Sequence, residues 1–127
     1  MTDAKIGLRH GELTSKVIGC AFKVHATLGP GFPENVYQRA LCQELLKARI
    51  PFESEKGYEV WYEGALCGQF RVDLLVDGKV ILELKALDGL CDEHLAQALT
   101  YLKASGLDLA LLLNFGRKSL EVKRVIL

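Results

Sequence analysis

Three charged residues stand inside two stretches of chain that otherwise read as core. In Arg71-Val-Asp-Leu-Leu-Val-Asp-Gly-Lys-Val-Ile-Leu-Glu-Leu-Lys-Ala86, the residues Asp73, Glu83 and Lys85 interrupt runs of Leu, Val and Ile. Strand interiors exclude such charges unless they are paired, solvated or bound to a metal. Glu83 and Lys85 are two apart, so their side chains leave one face of a strand while Leu82, Leu84 and Ala86 take the other. A Glu and then a Lys, beside an Asp from the neighbouring strand, offer two hard oxygen ligands to a cation such as Mg²⁺ and one ammonium to a water or a phosphate. The plain alternative is the polar face of a half-exposed sheet, with Glu83 and Lys85 paired to neighbours.

Register decides whether the three can meet. A two-residue turn at Asp77-Gly78 pairs Val76 with Lys79, sets Asp73 opposite Leu82 and points it away from Glu83. A three-residue loop with Gly78 left-handed, or one bulge, changes the parity and brings Asp73, Glu83 and Lys85 to one face. An odd loop or a bulge is therefore expected.

Other residues add to the pattern. Gln97 and Tyr101 are four apart and share one edge of a helix, where they could orient a ligand, the lysine or a phosphate. Glu34 falls in the first turn of another helix, a place that favours an acid for purely structural reasons. His94, at the start of a helix, and Arg117 and Lys118, with Lys123 and Arg124 the densest basic cluster, are candidate phosphate contacts. A solvated first turn and a charged edge strand explain these equally well. His25 reads as a packing or surface residue of its helix. Trp61 and Tyr62 are neighbours on a strand and face opposite ways; Trp61 is expected in the core or at an interface.

The elements that must position these groups follow from periodicity. Leu13, Val17, Cys20, Ala21, Val24 and Leu28 make a helical stripe, capped by Thr14 or begun slightly earlier and ended by Gly29-Pro30-Gly31. Pro33 suits the first turn of a second helix running to about Arg49. Strands are expected from Phe52 to Tyr62, from about Gln69 to Val76 and from Lys79 to Ala86. A third helix spans about Cys91 to Ser105 with Gly106 after it. The apolar run Leu107 to Phe115 reads as a strand covered on both faces, and Leu120 to Leu127 as a final edge strand. Residues 1–12 read as a flexible leader and 13–127 as a single mixed α/β domain.

Composition sets limits. The 127 residues are half apolar, enough for one core, and 16 basic residues balance 16 acidic ones. No global positive field marks a polyanionic partner, although acidic metal ligands can offset basic phosphate contacts. Cys20, Cys42, Cys67 and Cys91 lie more than twenty residues apart with no CxxC pair, so they read as reduced, hydrophobic thiols rather than as disulfides or a zinc site. The N-terminus lacks a signal-peptide apolar segment and no apolar run reaches the ~20 residues of a bilayer span. A soluble, cytoplasmic protein is expected.

Together these residues resemble the GxxExxY family of the PD-(D/E)XK nuclease superfamily. Gly31-Phe-Pro-Glu-Asn-Val-Tyr37 matches the naming motif. Arg71-x-Asp73, Glu83-Leu-Lys85, Gln97-x-x-x-Tyr101 and Asn114-Phe115-Gly116 follow in the family's order. The resemblance spans about residues 13 to 126 and implies a restriction-endonuclease-like αβββαβ core with an extra N-terminal helix. It further implies that Asp73 and Glu83 bind Mg²⁺ or Mn²⁺, that Glu34 completes or orients the site, and that Lys85 positions or activates the attacking water. Gln97 and Tyr101 resemble the supporting Gln-x-x-x-Tyr element of RecB-type nucleases. The implied function is metal-assisted hydrolysis of a DNA or RNA phosphodiester. The alternative is a catalytically silent nucleic-acid-binding, accessory or oligomerisation module on the same fold. A protomer this small has little surface with which to grip a duplex, which leaves room for a homodimer.

Overall fold

A computed structural model describes residues 9–127. Helix α1 (Gly11–Leu28) and helix α2 (Glu34–Lys47) precede a meander of strands β1 (Phe52–Tyr62), β2 (Ala65–Val76) and β3 (Val80–Lys85); helix α3 (Asp92–Ser105) and strands β4 (Leu109–Asn114) and β5 (Glu121–Ile126) follow. The five strands form one sheet in sequence order. Its neighbours are antiparallel except β3 and β4, which run parallel and are joined through α3. This is the order read from periodicity, and it forms a mixed sheet of restriction-endonuclease-like fold.

Helices cover both faces. Val17, Ala21 and Val24 of α1 and Tyr37, Leu41 and Leu45 of α2 pack with Leu74, Val76, Val80, Leu82 and Leu84 on one side. Ala98 and Leu102 of α3 pack with Val72, Leu75, Ile81, Ala110 and Leu112 on the other. β4 is buried along its whole length, as its unbroken apolar run requires between two helical layers. β5 and β1 are the two edges.

The helix ends follow local chemistry. α1 opens at Gly11 after His10 in a left-handed conformation (φ 53°), with no side-chain cap. Thr14 is therefore not the cap; its hydroxyl donates back to the Gly11 carbonyl at 3.3 Å. Of the expected leader, residues 1–8 lie outside the described residues, and Gly11 and Glu12 already belong to α1. Pro33 stands at the N-cap of α2, one position before its first turn, with extended backbone that suits it. α2 closes through left-handed Arg49 (φ 58°), with Ile50 N–H donating to Leu45 O at 3.0 Å.

Three expectations need correction. β2 begins at Ala65, not near Gln69, because the two-residue turn Glu63-Gly64 (φ 49° and 80°) pairs Tyr62 directly with Ala65. The β1–β2 hairpin thereby becomes a long arm whose tip leaves the core, so Trp61 is 59% exposed and not a core residue. Cys67, on that arm, and Cys91 are exposed rather than hydrophobically enclosed, whereas Cys20 and Cys42 are half-buried; all four are free thiols. Among the described residues no helix is long and apolar enough to cross a membrane.

Candidate metal and phosphodiester site

The turn after β2 has odd parity. Val76 pairs with Val80, leaving Asp77, Gly78 and Lys79 as a three-residue loop. Asp77 and Gly78 are both left-handed (φ 52° and 64°), and Lys79 N–H donates to Val76 O at 2.9 Å, so Lys79 is the extra residue. Counting back through Leu74 and Leu82 sets Asp73 opposite Glu83. The two-residue turn that would have separated them does not form.

At that pair the backbone ladder gives way to side chains. Asp73 N–H donates to Glu83 Oε2 at 2.7 Å, and Leu84 N–H donates to Asp73 Oδ2 at 2.7 Å. The cause is a change of face in β2: Val72 and Leu75 both pack toward α3, while Leu74 and Val76 pack toward α1 and α2. An alternating strand cannot do this without an irregularity at Asp73. The strands part there and the carboxylates fill the opening.

The electrostatics are those of acids gathered around one buried carboxylate. Glu83 is 6% exposed. Burial, and then the charge of Asp73, push its carboxyl up to about 8. Burial also raises Asp73, against the stabilising Leu84 amide, and raises Glu34, with Asp73 as the second cause. Lys85 follows on the same strand, half-buried, and among the described residues no carboxylate lies within ion-pair distance of it. Two close carboxylates without a paired cation lose their mutual repulsion when a divalent cation sits between them.

The other expected residues divide. Tyr101 is fixed over β2 by its ring, which stacks on Phe70 at 4.5 Å, which in turn stacks on Tyr58 at 5.3 Å; burial and then the charges of Glu83 and Asp73 raise its hydroxyl. Gln97 shares its helix, is exposed and forms no hydrogen bond among the described residues. His94 is engaged at the start of α3, where its Nδ1 accepts from Cys91 N–H at 3.1 Å in a reciprocal cap. Arg117 and Lys118 line a separate cleft of about 550 Å³ with Asp88 and Glu121, away from the one that Asp73 and Glu34 line. Buried His25 joins that region by a 2.8 Å contact from Nε2 to the Arg117 carbonyl.

The Gly31–Tyr37 segment separates into scaffold and chemistry. Tyr37 is fully buried, donates to Gly29 O at 2.5 Å, accepts from Phe32 N–H at 3.1 Å, and stacks on Phe115 at 4.7 Å. It secures the α1–α2 turn and leaves Glu34 as the member free to face Asp73. Asn114-Phe115-Gly116 clasps the other side. Phe115 N–H donates to Lys85 O at 2.8 Å; Asn114 accepts from Leu87 N–H at 2.9 Å and donates to Leu87 O at 3.1 Å. Gly116 lies so close to Ala86 and Leu87 that any Cβ would collide with their backbone. Gly116→Ala should therefore cost about 3 kcal/mol, seen as a lower Tm. Gly19→Ala on the open face of α1 should slightly raise Tm.

Asp73 and Glu83 supply the hard oxygens that suit Mg²⁺, Mn²⁺ or Ca²⁺. Among the described residues no three His, Cys, Asp or Glu side chains are arranged to hold a metal ion. A two-carboxylate set still fits Mg²⁺, which commonly keeps several waters and takes only one or two carboxylates. Glu55 and Gln38, beside Asp73, had no sequence signal beyond residue type, because they depend on the irregularity just described.

A family model of the PD-(D/E)XK nuclease superfamily matches residues 11–125, and the chain belongs to that superfamily. No curated protein matches it. Among solved structures, it is similar to the crystal structure of SSO0001, with TM-score 0.59 and 18% identity over 72% of this chain and 48% of that one. The likeness is one of fold, and the chain spans about half the length of that structure.

Proposed function

We propose that this protein is a divalent-metal-dependent nuclease of the GxxExxY kind, hydrolysing DNA or RNA phosphodiester bonds. The observation that carries the reading is the Asp73–Glu83 pair, two carboxylates facing each other in an opened ladder with Lys85 next along the strand. Superfamily membership supports it. A bound Mg²⁺ or Mn²⁺ supplies the charge that activates water and offsets charge gathering on the phosphate.

The remaining steps belong to the chain's own residues. Asp73 and Glu83 hold and orient the cation. Glu34, from α2, deepens the negative potential beside Asp73. Lys85 donates hydrogen bonds to the attacking water and the phosphate, and its ammonium stabilises charge as the phosphorus–oxygen bond to the leaving group breaks. Tyr101, fixed by its ring stack, and Gln97 flank the substrate from α3.

The test is cleavage of single- and double-stranded DNA and RNA with Mg²⁺ or Mn²⁺. Wild type should cleave at least one substrate and stop when chelator is added. Asp73→Asn should lose both cation affinity and about 10²–10⁴-fold in rate. No cleavage of any substrate, with no cation binding by calorimetry, would overturn the reading; cation binding without cleavage would make the chain a silent binding module.

A further inference from the structure

Across from Asp73 the chain accepts a costly backbone conformation at a residue that is not glycine. Ser54 pairs with Leu74 and Lys56 with Val72, which leaves Glu55 facing Asp73 between them. Glu55 has φ 55°, in the left-handed region that Gly or Asn would occupy more easily. It also brings a second negative charge beside an aspartate. A bulge alone needs neither the charge nor the long side chain.

The side chain is tied to the site through one amide. Gln38 Nε2, on α2 one turn beyond Glu34, donates to Glu55 Oε2 at 2.8 Å and also lies 3.3 Å from the Asp73 carbonyl oxygen and 3.4 Å from the Ser54 hydroxyl. Arg71 donates to the Glu55 carbonyl at 3.3 Å from the same hairpin. Glu34, Gln38, Ser54, Glu55 and Asp73 together line one cleft of about 460 Å³. The bracket therefore spans three elements, α2, β1 and β2, at the point where β2 leaves its ladder with β3.

We propose that Gln38 and Glu55 are positioning residues for Asp73, bracketing the parted strands so that the Asp73 carboxylate stays on the Leu84 amide and faces Glu83. The proposal rests on the reading of Asp73 as a cation ligand. Groups that orient a metal ligand by hydrogen bonding generally change metal affinity 10–100-fold when removed.

The experiment compares Glu55→Gly, Gln38→Ala, the double variant and Glu55→Gln. Glu55→Gly should melt at or above the wild-type temperature, since glycine relieves the left-handed backbone. In each of Glu55→Gly and Gln38→Ala, hydrogen exchange at the Leu84 and Asp73 amides should accelerate about tenfold, Mn²⁺ affinity by calorimetry should fall about tenfold, and kcat should drop with KM unchanged. The double variant should be no worse than the worse single one, because both remove the same Gln38–Glu55 hydrogen bond. Glu55→Gln keeps an oxygen for the Gln38 amide and should recover to within about twofold of wild type. Wild-type exchange and Mn²⁺ affinity in both single variants, or additive losses in the double one, overturn the proposal. Faster Leu84 exchange in a protein that neither binds Mn²⁺ nor cleaves any substrate upholds the bracket and removes the nuclease reading instead.

Discussion

Lys85→Ala should lower the rate of phosphodiester cleavage about a thousandfold while leaving divalent-cation affinity within about threefold of wild type. Lys85 leaves the strand two residues after Glu83, on the same face, half-buried. Among the described residues it has no ion-pair partner, so its ammonium is not committed to the scaffold. A half-buried cation beside developing charge acts mainly in the transition state, and its removal appears in kcat. Its charge opposes cation binding to Asp73 and Glu83, so alanine should not weaken that affinity. Arginine would be a poor substitute, because a wide planar fork replaces a compact charge. Single-turnover rates beside calorimetry check both halves, and an unchanged rate would remove Lys85 from the reaction.

Without divalent cation, stability should fall on the order of 3–5 kcal/mol as pH rises from about 5 to 9. Glu83 is the reason, with Asp73 adding in the same direction. Its folded-state pKa is raised to about 8 from an ordinary 4.5, so the folded state favours the neutral acid. That contribution is complete below about 4.5 and is lost as pH climbs through about 8. Glu83→Gln should flatten the slope, since a neutral amide has no proton to lose. Saturating Mn²⁺ should reverse it, because the cation binds the ionised carboxylates and its affinity grows with pH. Denaturant titrations across this range, with chelator and with Mn²⁺, provide the measurement. A slope in chelator that Glu83→Gln leaves unchanged would contradict the assignment of the raised pKa to that residue.

The elements and the acidic pair were legible because each carries a local signature. Apolar residues every three or four positions define α1, α2 and α3, and the run Leu107 to Phe115, almost wholly apolar and short, reads as a strand enclosed on both faces, which β4 is. The length of the β1–β2 arm was less legible. Its tip, Ala65-Leu-Cys67, faces solvent, so no burial pattern marks it. A core place for Trp61 fails for the same reason: a large aromatic is usually covered, and only the turn at Glu63-Gly64 carries it beyond the core. Nor was the capping role of His94 legible: its ring accepts from Cys91 N–H at the start of α3, a contact that residue type alone does not announce.

By itself the sequence determined which residues carry charge into the sheet. Asp73, Glu83 and Lys85 stand in apolar strands, and no packing argument accounts for them there. Tertiary structure decided whether they meet. Periodicity cannot count the residues in a turn, and a loop of two or three at Asp77–Lys79 assigns Asp73 to opposite faces. Nor can it show a strand changing face at Asp73, since that irregularity depends on which of its residues pack against the helices on either side of the sheet. The donors were written in the chain; their convergence came from register and packing, which depend on residues far apart in sequence.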